Sequence, residues 1–223
     1  MDIEQFFKSS ITREQQELVD KYNVLNTFAK KRQILFTGSS LMEQFPIHEL
    51  LIADDMKYII YNRGIGGFTT DNMLEHMDTQ IFAVRPSKIF INIGTNDIGN
   101  PSVSFETALT HTIRNYTEIL SQIREKLPQT KVYLMAYYPV NETDKLPEGE
   151  GSSNLFINRN NHNIHLANKE IKKLADAFGF HYIDVNSGLT DERGKLKKEY
   201  TVEGIHMYAN AYRIIFENMK PYL

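Results

Sequence analysis

Short apolar segments alternate with longer segments of helical periodicity along most of the chain, and this alternation constrains the fold more than any other feature. The longer segments repeat apolar residues at helical spacing, most clearly over 105–127, where Pro128 follows. The short segments are typical of strands buried on both faces, and in chain order they are 33–37, 56–61, 89–93, 131–137 and 181–185. The pattern predicts an α/β fold with a central parallel sheet of about five strands covered by helices on both faces.

The helical segments predict how the rest of the chain is organised. An opening helix is expected over 12–31, with Thr12 and Gln15 as a capping box, and further helices over 70–84 and 157–178. A polar stretch at 141–154 interrupts the alternation as a loop, and it either borders a pocket or lies on the solvated surface. We expect a single domain over 1–223, with residues 1–31 packed on it as a helical extension.

Composition excludes several classes of function. The chain has 223 residues, with 25 basic and 28 acidic side chains and a net charge of -3. This balance gives no indication of electrostatic binding to nucleic acid or anionic lipid. It contains no cysteine, and therefore no disulfide, thiolate metal site or cysteine nucleophile. Residues 1–5 lack a basic region followed by an apolar run, and no stretch approaches the ~20 apolar residues of a membrane span, so we expect neither a secretory signal nor a membrane span. We expect a soluble cytoplasmic protein without membrane insertion; a homodimer is compatible with the sequence but not indicated by it.

The first strand-end residue of chemical interest is Ser40. Ligands on parallel sheets bind beyond the carboxyl ends of the strands, and Ser40 follows a strand at the start of a short segment. A serine there stands at the positive end of a helix dipole, where its hydroxyl is a candidate nucleophile. The alternative is a serine that only caps a helix, because serine is favoured at that position for capping alone.

A candidate base with its own orienting group lies near the C-terminus. Glu203 and His206 are three residues apart, so that a single turn places them on one side. A carboxylate that holds one ring nitrogen leaves the other free to accept a hydroxyl proton. We expect Glu203 and His206 to form such a pair.

Two further strand ends supply candidate donors for a developing oxyanion. Asn96 follows a buried strand, and its side-chain amide can project over the sheet edge. Gly67 ends a glycine-rich turn that can expose a backbone N–H toward the same point, as can the backbone N–H of Ser40. The alternatives are ordinary turn residues, since asparagine and glycine are both common in turns.

In these four stretches the chain resembles the SGNH hydrolases, also called the GDSL lipase/esterase family. The resemblance rests on Gly-Ser-Ser-Leu at 38–41, the glycine block at 62–70, Gly-Thr-Asn-Asp at 94–97, and Glu-Gly-Ile-His at 203–206. The second and third blocks are similar to the branch that contains platelet-activating-factor acetylhydrolase. The resemblance implies a flavodoxin-like three-layer α/β/α sandwich.

The resemblance also implies roles for individual residues. Ser40 takes the nucleophile position and His206 that of the base, while Gly67 and Asn96 take the positions of the oxyanion donors. Two departures from the family pattern stand out, because Ser39 occupies the place of the usual aspartate beside the nucleophile and Glu203 that of the usual aspartate of the triad.

The sequence thus predicts a serine hydrolase that cleaves short acyl esters, such as acetyl groups on a sugar or lipid, through an acyl-enzyme. We expect a small-molecule ester as its partner, and neither a cofactor nor a metal. Within the family, a lysophospholipase or a thioesterase remains open. The alternative from another class is a non-enzymatic flavodoxin-like module that binds a phosphate or nucleotide at residues 37–40.

Overall fold

The central element is a parallel sheet in which the first strand lies between the second and the third. The computed structural model of the chain describes residues 3–144 and 153–223, and within these ranges the sheet has the strand order β2-β1-β3-β4-β5, with every pairing parallel. The strands are β1 Ile34–Gly38, β2 Ile60–Asn62, β3 Lys88–Asn92, β4 Lys131–Met135 and β5 His181–Ile183. The predicted α/β class and the parallel five-stranded sheet are confirmed.

Alternate residues of each strand belong to two separate hydrophobic cores, one on each face of the sheet. In β3, Ile89 and Ile91 face one core and Phe90 faces the other, and all three are fully buried. This period of two follows from the pleat of a strand, and burial on both faces explains the continuous apolar runs in the sequence. Helices cover both cores, which makes the molecule a three-layer α/β/α sandwich.

The helices in the described ranges differ widely in length, from one turn to seven. They are α1 Ile3–Phe28, α2 Ser40–Glu43, α3 Ile47–Ala53, α4 Thr70–Glu75, α5 Met77–Gln80, α6 Thr95–Ile98, α7 Phe105–Lys126, α8 Asn161–Phe178 and α9 Ala209–Met219. Short 3₁₀ turns lie at Phe82–Val84, Ser153–Phe156, Lys198–Tyr200 and Lys220–Tyr222. None of the helices described here combines the length and the apolarity needed to cross a bilayer.

The second strand is shorter than the predicted 56–61. The residue-by-residue pairing with β1 begins at Ile34 opposite Ile60, and just before it the carbonyl of Ile59 accepts the N–H of Ile34 at 3.2 Å. Tyr58 and Ile59 are exposed at 43% and 39%. The prediction included these two residues in the strand because their side chains are apolar, but both lie before its first residue, Ile60.

The predicted helix over 70–84 is broken. His76 has φ -119° and ψ 26°, which is not helical, and it separates α4 from α5. Its ring stacks on Phe68, with centroids 5.5 Å apart. Neither glycine nor proline lies between 70 and 84, so the sequence carries no signal for this break.

Two helices also begin at residues other than those predicted. The opening helix spans Ile3–Phe28 rather than 12–31, so Thr12 lies inside it and the predicted capping box is wrong. The helix expected from 157 begins only at Asn161, after Asn160 caps it by accepting the N–H of Asn163. Gly179 ends it with φ 67°, as predicted. Most of the predicted loop at 141–154 lies outside the described residues.

The strand order explains why three distant segments emerge side by side. Because β1 pairs with β2 on one side and β3 on the other, the segments that follow these three strands leave the same edge of the sheet. A crevice forms at the point in a parallel sheet where the strand order reverses. The segments that begin at Ser39, Arg63 and Ile93 therefore meet there.

Candidate active site

Ser40 is the first residue of α2 and is not a helix cap. The cap position belongs to Ser39, whose side chain makes no capping bond. The Ser39 hydroxyl is buried and, within residues 3–144 and 153–223, has no hydrogen-bond partner. Ser40 instead directs its hydroxyl at His206, with 2.9 Å between Oγ and Nε2. Of the two adjacent serines, only Ser40 faces a base.

Glu203 holds the other ring nitrogen of His206. Its Oε1 lies 2.5 Å from Nδ1 and also accepts the backbone N–H of His206 at 3.0 Å. The loop that carries both residues is closed by Thr201, which donates from Oγ1 to the carbonyl of His206 and accepts the N–H of Gly204, both at 2.8 Å. The structure therefore brings Ser40, His206 and Glu203 into one hydrogen-bonded chain.

The electrostatics of Glu203 favour its ionised form. Burial raises the pKa of this carboxyl group, but the hydrogen bonds from the ring and backbone of His206 outweigh burial. The net result is a pKa of Glu203 below its ordinary value. An ionised carboxylate beside Nδ1 stabilises an imidazolium if His206 takes up a proton.

The glycine loop (residues 64–67) lies against the start of α2, where a Cβ built on Gly66 would come within 3.8 Å of the Cβ of Ser40. Gly67 has φ 73°, a left-handed conformation that favours glycine. The preceding N–H, that of Gly66, donates to Oε2 of Glu43 at 2.5 Å. No acceptor among the described residues pairs with the Gly67 N–H, and Gly67 is exposed. This N–H is thus available to a ligand.

Asn96 is held on both sides of its amide. Its Oδ1 accepts a hydrogen bond of 2.8 Å from Arg159, and its Nδ2 donates to the carbonyl of Phe68 at 2.9 Å. Because a side-chain amide carries two N–H bonds, one remains for a ligand. Arg159 also donates to the carbonyl of Thr95 at 3.1 Å, which fixes its position at the start of α6.

Asp97 ties the Asn96 segment to the glycine loop. It is buried and accepts hydrogen bonds from the backbone N–H and the hydroxyl of Thr70, at the start of α4. Burial raises the pKa of Asp97, and the bonds from Thr70 oppose that rise. The contact joins the two segments next to the candidate donors, because Thr70 follows the glycine loop and Asp97 follows Asn96.

One cluster of potential metal ligands occurs within the described ranges, formed by Asp71, Asp97 and His111. Hydrogen bonds within the protein explain its arrangement. Asp97 is engaged by Thr70, and Asp71 accepts from Nε2 of His111 at 2.7 Å. The other ring nitrogen of His111 contacts Arg114 at 2.9 Å. The cluster is a hydrogen-bonded network and is separate from the Ser40–His206 pair.

Three residues around the site were missed from the sequence. They are Arg159 on Asn96, Glu43 on Gly66, and Gln15, whose Nε2 donates to the carbonyl of Gly66 at 2.8 Å. Glu43 lies one turn after Ser40 on α2, and that spacing was a usable signal. Arg159 and Gln15 reach the site from distant segments whose local patterns carry no sign of it.

Comparison with known proteins gives the chain a family. The model of the GDSL-like Lipase/Acylhydrolase family matches residues 46–214, a range that includes Gly67, Asn96, Glu203 and His206 and begins after Ser40.

Two solved structures and one curated protein illustrate the similarity. A structure from Streptococcus pneumonia, provisionally described as a platelet activating factor, is 32% identical, covers 98% of this chain and 96% of its own, and superposes with a TM-score of 0.84. An acetyl xylan esterase is 16% identical, covers 85% of this chain and 98% of its own, and has a TM-score of 0.66.

The curated protein is an N-acylneuraminate cytidylyltransferase of Escherichia coli, 25% identical over 221 residues, or 94% of this chain. The chain spans about half of that protein, since the match covers 47% of its length. The family match, together with the relative that is 32% identical over nearly the whole chain, decides the assignment. The chain belongs to the GDSL-like lipase/acylhydrolase family of ester-cleaving hydrolases.

Proposed function

We propose that this hydrolase works through an acyl-enzyme formed on Ser40. The observation that carries the proposal is the continuous chain from Ser40 Oγ to His206 Nε2, at 2.9 Å, and from His206 Nδ1 to Glu203. A hydroxyl, an imidazole and a carboxylate in that order are the components of a serine-hydrolase triad.

In the proposed reaction, His206 Nε2 takes the Ser40 proton while Oγ attacks the ester carbonyl. The tetrahedral intermediate collapses, and the alcohol leaves with the proton that His206 returns. Water then attacks the acylated Ser40, with His206 again as the base, and the carboxylic acid is released. Glu203 keeps the ring in the correct tautomer and stabilises its charged form.

The oxyanion would be stabilised by three donors from three segments. They are the backbone N–H groups of Ser40 and Gly67 and the side-chain amide of Asn96. The contacts that Arg159 and Phe68 make with this amide hold it in place before substrate binds. Preorganised donors of this kind stabilise the transition state more than the ground state, and the loss of one costs about 10²–10³-fold in rate.

For the substrate, we propose a short acyl ester of a sugar, with acetyl as the acyl group. Support comes from two of the similar proteins, because one is an acetyl xylan esterase and the other is named for a reaction of N-acylneuraminate, an acidic sugar. A lysophospholipase or thioesterase activity of the same site is the competing proposal. A phosphate-binding role at residues 37–40 would account for the first loop alone and leaves the Glu203–His206 pair unexplained.

Hydrolysis of a graded set of esters tests this proposal. The purified chain is assayed with p-nitrophenyl esters from acetyl to palmitoyl, with acetylated xylooligosaccharides and with O-acetylated N-acetylneuraminate. We expect the highest kcat/KM at acetyl, and release of acetate from at least one of the sugars. Ser40→Ala, which lacks the proposed nucleophile, is the control and should lose at least about 10³-fold. An optimum at long acyl chains would contradict the short-acyl assignment.

A further inference from the structure

The N-terminal helix α1 contacts the glycine loop at two of its backbone carbonyls. Two side chains on the same face of α1 make these contacts, with the buried Val19 between them. The Tyr22 hydroxyl donates to the carbonyl of Gly64 at 2.9 Å, and Gln15 Nε2 donates to the carbonyl of Gly66 at 2.8 Å. Residues 3–28 precede the part of the chain that matches the family model.

The Gln15 contact acts on the peptide unit that carries the proposed oxyanion donor. The carbonyl of Gly66 and the N–H of Gly67 belong to the same planar, trans peptide group, so they point in opposite directions. A hydrogen bond that fixes the carbonyl toward α1 therefore directs the N–H away from α1. The bond also polarises the amide, which makes its N–H a better donor.

This peptide unit needs such a restraint because glycine stands on both sides of it. Glycine adopts positive and negative φ with similar ease, so the peptide between Gly66 and Gly67 rotates at little steric cost. A flipped peptide would present a carbonyl oxygen to the oxyanion and repel it. Glu43 holds the N–H of Gly66, which belongs to the preceding peptide, and Gln15 holds the carbonyl of the Gly66–Gly67 peptide itself.

The space around Gly67 fits this arrangement. A Cβ built on Gly67 would come within 2.7 Å of Gln15 Nε2, which shows how closely the amide of Gln15 lies against the loop. Gln15 itself is half-buried in that contact. Its neighbour Gln16 is exposed and donates to Asp20 of the same helix at 2.9 Å.

We infer that Gln15 is a positioning residue for the oxyanion hole, acting through the Gly66–Gly67 peptide. The inference rests on the proposed function, because it presupposes that the Gly67 N–H binds an oxyanion. It assigns α1 a role in transition-state stabilisation in addition to its packing. The expected signature is a lower kcat at nearly constant KM, because the oxyanion exists only in the transition state and intermediate.

The test compares four variants with the wild type on p-nitrophenyl acetate. Gln15→Met keeps the length of the side chain without a donor, Gln15→Glu replaces the donor with a carboxylate, and Gln15→Lys supplies a different donor. Gln16→Met is the matched control on the same helix. Each variant is measured for kcat, KM, Tm, and inhibition by an alkylboronic acid, which forms a tetrahedral adduct on a serine hydroxyl.

We expect Gln15→Met and Gln15→Glu to lower kcat about 10- to 100-fold, less than the 10²–10³-fold for loss of a donor itself. Boronic acid binding should weaken by a similar factor, Gln15→Lys should recover most of the kcat, and Gln16→Met should match the wild type.

Wild-type kcat in a folded Gln15→Met variant would overturn the inference, and so would a loss confined to KM or Tm. If Gln15→Met fails to fold, Gln15→Lys decides the question. A folded Gln15→Lys variant whose kcat stays well below that of the wild type would then overturn the inference too. If the wild type hydrolyses no ester, or Ser40→Ala retains the activity, the proposed function itself has failed.

Discussion

The position of one proton decides whether His206 can act as a base. Oε1 of Glu203 accepts from the backbone N–H of His206 and lies 2.5 Å from Nδ1. An ionised carboxylate only accepts hydrogen bonds, so the network assigns the ring proton to Nδ1. Nε2 then presents its lone pair to the Ser40 hydroxyl. The low pKa of Glu203, set by its bonds to His206 against the effect of burial, maintains this arrangement at neutral pH.

Glu203→Gln tests this proton assignment. The glutamine amide is able to donate to Nδ1, which moves the ring proton to Nε2 and removes the base from Ser40. We expect kcat to fall about 10³- to 10⁴-fold with little change in KM, as for the loss of the correct tautomer in other triads. Steady-state kinetics on p-nitrophenyl acetate measure the effect.

Glu203→Asp is the matched comparison, because it keeps the charge and restores the residue that is usual in the family. It should retain far more activity than Glu203→Gln. Equal activity of the glutamine variant and the wild type would show that Glu203 does not orient His206.

At the scale of elements, the docking of α9 connects the His206 loop to the start of α2. The Tyr212 hydroxyl donates to the carbonyl of Leu41 at 3.0 Å in a buried contact. The helix is also held to the end of α3 by Asp54, which pairs with Arg213 at 2.6 Å and, just past the end of α9, with Lys220 at 2.5 Å. The hydrogen bonds and charges of these two residues hold the pKa of Asp54 below its ordinary value.

The Asp54 contacts predict a pH-dependent contribution to stability. A carboxyl group whose pKa is lowered by folding stabilises the folded state above its unfolded pKa of about 3.9, and this contribution disappears as the pH falls through the folded pKa. We expect Asp54→Asn to lower the free energy of unfolding at neutral pH, and the difference from wild type to shrink below about pH 4. Urea denaturation at a series of pH values measures it.

Asp55→Asn is the matched control, since Asp55 is exposed and has no ion pair with any residue in the described ranges. At neutral pH this variant should show no loss of stability comparable to that of Asp54→Asn. A deficit of Asp54→Asn that is the same at pH 3 and pH 7 would contradict the electrostatic explanation.

Elements were predictable from the sequence where local pattern and tertiary context agree. The long helix α7 ends within a residue of its predicted end, because apolar periodicity and Pro128 both act locally. The break at His76 and the short strand β2 were not predictable, since they depend on which neighbours those residues meet. The length of a strand depends on its partner as well as on its own residues.

At the scale of the molecule, the site depends on segments that meet only after folding. Ser40, Asn96 and His206 could be proposed from the sequence because each stands in a motif at the end of a strand or before a helix. Gln15 and Arg159 were not, because their roles consist of single contacts with backbone or amide groups far away in the chain. Strand order explains why the segments that follow β1, β2 and β3 converge, since β2 and β3 flank β1.

Site mapping of a fluorophosphonate adduct by mass spectrometry tests this account most directly. The account predicts a single labelled residue, Ser40, in the folded chain, no labelling after unfolding in urea, and labelling at least about 10³-fold slower in His206→Ala. Ser39→Ala should be labelled like the wild type, because the Ser39 hydroxyl does not face His206. An adduct on Ser39, or labelling of Ser40 at equal rates in the folded and unfolded chains, would contradict it.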